Sequence, residues 1–581
     1  VAPEMYAHGA AGSTFSDWWS YKKEAYDAIP HNAAMMADAG IVTSLNSDDA
    51  ELMRRMTSEA GKTLRFGGLD AAEALRLVTI NPAIQLGLEK RIGSIEVGKD
   101  GDFAVFTRHP LDTHARNVLT LIEGEVWFRE PGLAIDGSTP GPGSAWVPEP
   151  PRGLLPVPAN AGYYAITGAT IHAVTSGAVD GKTLVIRDGR IEAIADGIPD
   201  GATVVDASGL HVYPGIVNAA TQMGLAEIEG IAQTVDHTDL ASIQPELRAL
   251  SGINPHSEHL PVSLCEGTTV SHVIPLGGMI SGRASAIQLS GWSLPELLRA
   301  EETGLSIDLP VLPEKSVLAE MDEEERTKRT TEHEKAYVAL EQFMRDAQHY
   351  AKLASDGVEH EENLRLAAMI PYVRGEKSVY FRAQTYKAIR QALTFAEAFG
   401  LRAVIVGGRD AWKFAEELAD KDVAVIVDSV TDLPLSRHED SYERYNAYFE
   451  NPKRLHEAGV RFAIASNGTE HAKKAAINAG LAIAYGLDEE AALRSVTIDA
   501  AAIMGLGDRI GSLEAGKIAD VIVTTGDPTQ TSTRTVACFV GGRPVALDSL
   551  HERNYRKFLA RPEPELERTG ELNGPQAMRA E

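Results

Sequence analysis

Between residues 214 and 500, short apolar runs alternate with longer stretches of helical period. Ala403-Val-Ile-Val-Gly is followed by a helical pattern over Asp410–Leu418 and then by Val423-Ala-Val-Ile-Val. Apolar strands separated by helices predict a parallel sheet with crossover helices, and residues 214–505 have the length of an eight-stranded (β/α)8 barrel. The flanks read differently. Tyr164-Ala-Ile-Thr-Gly-Ala-Thr-Ile-His alternates like a strand, and Leu184-Val-Ile-Arg-Asp-Gly-Arg-Ile-Glu-Ala-Ile reads as a hairpin with Asp-Gly at its tip. Ala519-Asp-Val-Ile-Val and Thr535-Val-Ala-Cys-Phe-Val-Gly-Gly-Arg return to β after the barrel. Neither flank has enough apolar strand surface to stand alone. Residues 161–213 and 506–546 are therefore expected to form one small β-sandwich domain into which the barrel is inserted. Met321 to Ala354 reads as a long, charged, solvated helix.

An internal repeat organises the chain. Leu75-Arg-Leu-Val-Thr-Ile-Asn-Pro-Ala, Leu86-Gly-Leu and Arg91-Ile-Gly-Ser-Ile-Glu-Val-Gly-Lys return as Leu493-Arg-Ser-Val-Thr-Ile-Asp-Ala-Ala, Met504-Gly-Leu and Arg509-Ile-Gly-Ser-Leu-Glu-Ala-Gly-Lys. Gly87, Gly93, Gly98 and Asp102 match Gly505, Gly511, Gly516 and Asp520, always 418 apart. Upstream the offset is 419, pairing Ser47 with Ser466 and Glu51 with Glu470. Two homologous domains in tandem are expected. Residues 1–130 would be the carboxyl-terminal part of a first copy, 131–160 a Pro/Gly-rich linker, 161–550 a complete second copy and 551–581 a charged tail. The first copy begins as if in the middle of a domain, so roughly 260 residues of it are expected upstream. Its cut barrel should leave Val42, Leu45, Leu77 and Ile80 uncovered and favour association of copies as a homo-oligomer.

Composition narrows the partners. The formal charge of −27 argues against nucleic acid and against docking on anionic lipid, and no apolar run approaches a membrane span. Two cysteines, Cys265 and Cys538, exclude a disulfide framework and a four-cysteine zinc site. His31, His109 and His114 lack a strand-end context and read as surface residues. Gly277-Gly-Met-Ile-Ser-Gly282 lacks a P-loop ending and reads as a tight turn.

This layout, with Gly-Ser-[Ile/Leu]-Glu-x-Gly-Lys-x-[Ala/Gly]-Asp near its end, resembles the metal-dependent amidohydrolase superfamily, and within it the imidazolonepropionase-like branch. The resemblance covers residues 1–130 and 161–550. It implies hydrolysis of carbon–nitrogen bonds, non-peptide or in small dipeptide-like amides, with a small amide or cyclic amide as substrate. A divalent metal, with zinc the expected ion, would lower the pKa of a bound water and polarise the carbonyl. The family holds its metal with His-x-His after strand 1, further ligands on middle strands and an Asp ending strand 8. That Asp also moves the proton from water to the leaving amine.

In the first copy the resemblance places Asp48 at the strand-8 position, as metal ligand and catalytic base. Asp49 reads as a helix cap, and His8 as a polar residue rather than a ligand. In the second copy Pro214-Gly-Ile-Val-Asn-Ala-Ala-Thr-Gln222 puts Ala220 and Gln222 where the two histidines belong, and Asn467 replaces the strand-8 Asp. The middle strands end in Val406-Gly-Gly-Arg and Val427-Asp428-Ser, without His. The second barrel is thus expected to lack metal and catalysis. The expected enzyme is the complete parent protein, with its site in the first domain. The alternative is a non-catalytic structural or ligand-binding module. The resemblance suggests a periplasmic or secreted protein, and a cytoplasmic one stays open.

Overall fold

The computed structural model describes residues 1–562 except 17, 134–152, 160, 314, 434–443 and 467. The expected linker falls mostly, and the tail beyond residue 562 wholly, outside the described residues. Two compact units are present: Val1–Leu154 with Thr524–Val536 and Asp548–Glu581, and Leu155–Val523 with Ala537–Leu547.

The second unit contains an almost closed eight-stranded sheet. Its strands, in spatial order, are Ile216–Thr221, Thr268–Val273, Ile280–Gln288, Leu298–Ile307, Ser378–Ala383, Arg402–Gly407, Ala424–Val427 and Phe462–Ile464. Side chains tie the first strand to the segment after the last. Asn218 Nδ2 donates to Ser466 Oγ at 2.7 Å, and Thr221 Oγ1 donates to the Gly468 carbonyl at 3.1 Å. Alternation along the strands gives two apolar faces. Val217, Ala284, Val404, Ile426 and Ala463 fill one, while Leu305, Val379, Phe381, Ile405 and Val425 meet helix residues such as Ile389, Phe395 and Leu455.

The expected all-parallel sheet is corrected at one strand. Ile280–Gln288 runs antiparallel to both neighbours. Only residues 274–279 join it to the preceding strand, and a parallel crossover needs a dozen or more residues. The glycine motif at 277–282 forms this connection. Gly277 has φ of +99°, and a Cβ there would lie 2.2 Å from Thr238 Oγ1. The charged helix is present as Glu323–Ser355, with Asp322 accepting from the Glu325 N–H at 2.8 Å.

Two further sheets flank the barrel in sequence. One combines 163–167, 183–187, 190–195 and 203–206. The other takes 170–172, 178–179 and 211–214 from one end of the chain and 521–524, 535–540 and 543–544 from the other. Tyr164 and Phe539 join them edge to face at 5.3 Å. The Asp-Gly hairpin is formed, with Asp188 at φ 48° and Gly189 at φ 83°, the left-handed pair that a two-residue turn requires.

In the first unit, Gly12–Thr14 and Thr43–Leu45 form a two-stranded parallel sheet, and 103–106, 117–122 and 125–129 form an antiparallel one. Leu45 and Leu77 are buried in a core with Ala60, Leu64 and Leu111, which corrects the expectation that they lie uncovered. Helices 56–65 and 71–76 supply that cover. Apolar exposure falls instead on Val105, Val126 and Trp127 of the antiparallel sheet.

The repeated glycines and aspartates have matching surroundings. A Cβ at Gly93 would sit 2.9 Å from Ile80 Cα, and one at Gly511 2.8 Å from Ile498 Cα. Both have positive φ, so a side chain is excluded twice over. Asp102 accepts from the Glu123 N–H at 2.8 Å, and Asp520 from the Gly541 N–H at 2.7 Å. The terminal Asp of the Gly-Lys motif is thus a turn-holding residue, with no part in chemistry.

Candidate functional site

In the first unit, Asp48 follows the buried strand Thr43–Leu45. The Asn46 N–H donates to the Thr14 carbonyl at 2.9 Å, extending the parallel register. Asp48 is exposed and has φ of 46°. Asp tolerates this left-handed region better than most residues, and strand-end strain of this kind gathers at functional sites. Asp49 caps the following turn: its Oδ1 accepts from Glu51 N–H at 2.5 Å and Leu52 N–H at 3.3 Å. The turn Leu52–Arg55 leads into the helix Met56–Arg65.

A ladder of charges fixes that helix below the strand ends. Arg55 Nε meets Glu51 Oε1 at 2.6 Å, Arg55 also reaches Glu59, and Lys62 Nζ lies 2.8 Å from Glu59 Oε2. Glu59 is buried and accepts from Ser16, just beyond the first strand. Sequence reasoning passed over this ladder, although its i, i+4 spacing is legible.

His8 is an exposed last-turn residue of the helix Ala2–His8. His31 and His114 correct the surface expectation, for both are buried. His31 stacks on Tyr555 at 4.0 Å, and His114 Nε2 lies 2.8 Å from Thr529 Oγ1. Their partners are more than 400 residues away in sequence. Burial holds the His31 imidazole down at about 3.

In the second unit the family's metal position is the carboxyl end of the barrel. Ala220 and Gln222 lie there, both 4% exposed. The Gln222 amide is turned to the Ile274 carbonyl, donating from Nε2 at 3.3 Å. Asn467 lies outside the described residues. His272, which sequence reasoning missed, sits inside the barrel with both ring nitrogens engaged. Nδ1 is 2.8 Å from the Ala219 carbonyl and Nε2 is 2.7 Å from Thr303 Oγ1. Burial lowers it to about 4.

Asp428 ends the seventh strand, fully buried, and the Gln384 Nε2 donates to its two oxygens at 3.0 and 2.9 Å. Burial pushes its carboxyl above the usual range. Gly407 makes room for this bond, since a Cβ there would fall 2.6 Å from the Gln384 amide. Asp308, Arg382 and Gln384, also missed, end the fourth and fifth strands. The period-2 alternation from Tyr380 was the signal that could have placed Arg382 beside them.

These donors do not fit a metal. Ala220 has no donor atom, Gln222 is spent on a backbone carbonyl, and His272 has no free lone pair facing the mouth. Among the described residues no three His, Cys, Asp or Glu side chains converge as a metal site.

Residues 27–126 and 411–545 match the model of the Amidohydrolase family. A solved amidohydrolase from Thermotoga maritima MSB8 superposes with a TM-score of 0.56 at 25% identity, covering 66% of this chain and 99% of that one. Over these residues the chain is similar to amidohydrolases.

Among curated amidohydrolase-like relatives, "Amidohydrolase tasK" of Hapsidospora irregularis is 30% identical over 235 residues, 38% of this chain and 24% of that protein. "N-substituted formamide deformylase" of Arthrobacter pascens is 36% identical over 114 residues, 17% of this chain and 20% of that protein. Imidazolonepropionase of Thermoplasma acidophilum is 35% identical over 88 residues, 15% and 21% respectively. The chain thus spans a quarter or less of the length of these relatives.

Two of the buried histidines, His31 and His272, predict an acid-labile fold. Each imidazole is held below its unfolded value near 6.5. The unfolded chain then binds a proton that the folded one refuses, so stability is full above pH 6.5 and falls as pH drops toward 4 and 3. Between pH 7.5 and 5 each site should lose about 2 kcal/mol. A melting series over this range should show the loss, and His31→Phe should flatten the part belonging to the first unit.

Proposed function

We infer that this chain belongs to a metal-dependent hydrolase of carbon–nitrogen bonds in small or cyclic amides, of the imidazolonepropionase-like branch. Two homologous copies stand in tandem: residues 1–130 close a first copy, and 161–550 make a second. The reading is supported by the match of repeated elements. The strand 43–45 and Asp48 precede helices 71–76 and 80–85, as the strand 462–464 precedes helices 489–495 and 498–503.

The observation that carries the catalytic assignment is Asp48 at the carboxyl end of a buried strand in parallel register, where this barrel type gathers its chemistry. The Asp48 carboxylate would take the proton of the attacking water and hand it to the departing amine. Bound metal, zinc being the expected ion, would supply the activated water. The described residues offer Asp48 as the one ligand position of that first site. The barrel at 214–505 serves as a non-catalytic partner, a reading favoured by Ala220 and by the bonded Gln222.

Metal analysis tests the division. The protein with a complete first copy should carry stoichiometric metal and hydrolyse amides. Residues 1–581 should purify with well under one zinc per chain, because a catalytic zinc keeps three protein ligands. Tightly held zinc in residues 1–581, abolished by mutation of the barrel mouth, would reverse the assignment of the two copies.

A further inference from the structure

The barrel mouth that fails as a metal site holds another arrangement. The ladder pairs Ile307 with Phe381 and Arg382 with Val406, so Asp308 and Arg382 are the next neighbours in register on adjacent strands. Ile307 and Phe381 belong to the helix-facing core, while Tyr380 belongs to the barrel interior. Alternation therefore turns Asp308 and Arg382 inward at the carboxyl end. They carry opposite charge, yet they do not bond each other. Among the described residues neither side chain makes a hydrogen bond or an ion pair within 4 Å. Arg382 is half-buried and Asp308 is accessible. A guanidinium has five donors in a fixed fork, and leaving it without an acceptor in a partly dry wall is costly.

A second cation serves the same end of the barrel, for Arg382 and Arg409 both act electrostatically on Asp428. Arg409 follows the sixth strand, and its N–H donates to Gln384 Oε1 at 3.3 Å. Its Nη1 is 3.8 Å from Asp432 Oδ2, its guanidinium lies 5.4 Å from the Tyr448 ring centre, and its Nε is buried without a partner. Asp428, by contrast, is occupied by Gln384. The mouth thus offers two guanidiniums with unused donors and one open carboxylate. A phosphate would bring two negative charges against Asp308 and Asp428. A carboxylate brings one, and matches the guanidinium fork.

We propose that the carboxyl end of the second barrel binds a small zwitterion, a free amino acid or short peptide. Its carboxylate is held by Arg382 with Arg409, and its ammonium by Asp308. The proposal rests on the reading that this barrel is free of metal and of catalysis. It turns that barrel from a scaffold into a ligand-sensing or substrate-holding module.

Three probes separate the parts on the whole chain: glycylglycine, N-acetylglycine, which lacks the ammonium, and glycinamide, which lacks the carboxylate. Binding is read by calorimetry and by thermal shift, which scales with ligand over Kd, at probe concentrations up to about 10 mM. Glycylglycine should bind at least tenfold more tightly than either of the others. Arg382→Gln should cost glycylglycine and N-acetylglycine tenfold or more. Asp308→Asn, at an accessible position where folding is safe, should weaken glycylglycine while sparing N-acetylglycine. Zinc is measured in the same samples. Absence of binding by all three probes in a zinc-free chain overturns the proposal alone, as does binding indifferent to both variants. Zinc lodged in the mouth overturns the metal-free reading beneath it.

Discussion

Asp48→Asn, made in the protein with its complete first copy, is expected to lower turnover by about 10²-fold or more, the loss that follows removal of a general base. The amide of Asn keeps the size and the left-handed tolerance that φ of 46° demands, so the fold of the strand end should survive. What disappears is the ability to hold a proton. Asp49→Asn should do far less, because Asp49 spends its carboxylate on the N–H groups of Glu51 and Leu52, and Asn caps nearly as well. Gln222→Ala should leave turnover unchanged, since its amide serves only the Ile274 carbonyl. Steady-state kinetics on the three variants decide the matter. Comparable losses at Asp48 and Gln222 would mean that the chemistry runs in the second barrel.

Asp520→Ala should be the most destabilising single change in the second unit. Asp520 Oδ1 accepts from Arg299 Nη2 at 2.6 Å and from the Gly541 N–H at 2.7 Å, and the Asp520 side chain is buried while that of Arg299 is only 11% exposed. Burial raises the Asp520 carboxyl even against the pull of Arg299, which marks how dry the place is. Truncating one partner strands the other charge, at a cost of about 3–5 kcal/mol. The corresponding Asp102 is exposed and holds only the Glu123 N–H, so Asp102→Ala should cost about 1 kcal/mol. Denaturant midpoints for the two variants should differ accordingly. Equal shifts would show that the turn bond, and not the buried pair, carries the stability.

Local rules determined much of the chain before any contact was known. Asp188-Gly189 fixed a hairpin because both residues accept positive φ. Gly93 and Gly511 announced the same close approach at two places 418 residues apart. Apolar runs of strand length separated by helical periods gave the barrel, and Ala220 could be read as a lost ligand because a methyl group has no lone pair in any fold.

Other features came only from the tertiary structure. Strand direction at 280–288 depends on the length of a loop, which hydrophobic pattern does not encode. His31 and His114 became core residues through Tyr555 and Thr529, partners that sequence distance conceals. The juxtaposition of Asp308 and Arg382 exists only because two strands whose facing residues are 74 apart in sequence lie in register and present the same face. A side chain's chemistry is written in its own residue, whereas its neighbours, and so its charge, its dryness and its use, are set by the packing of the whole unit.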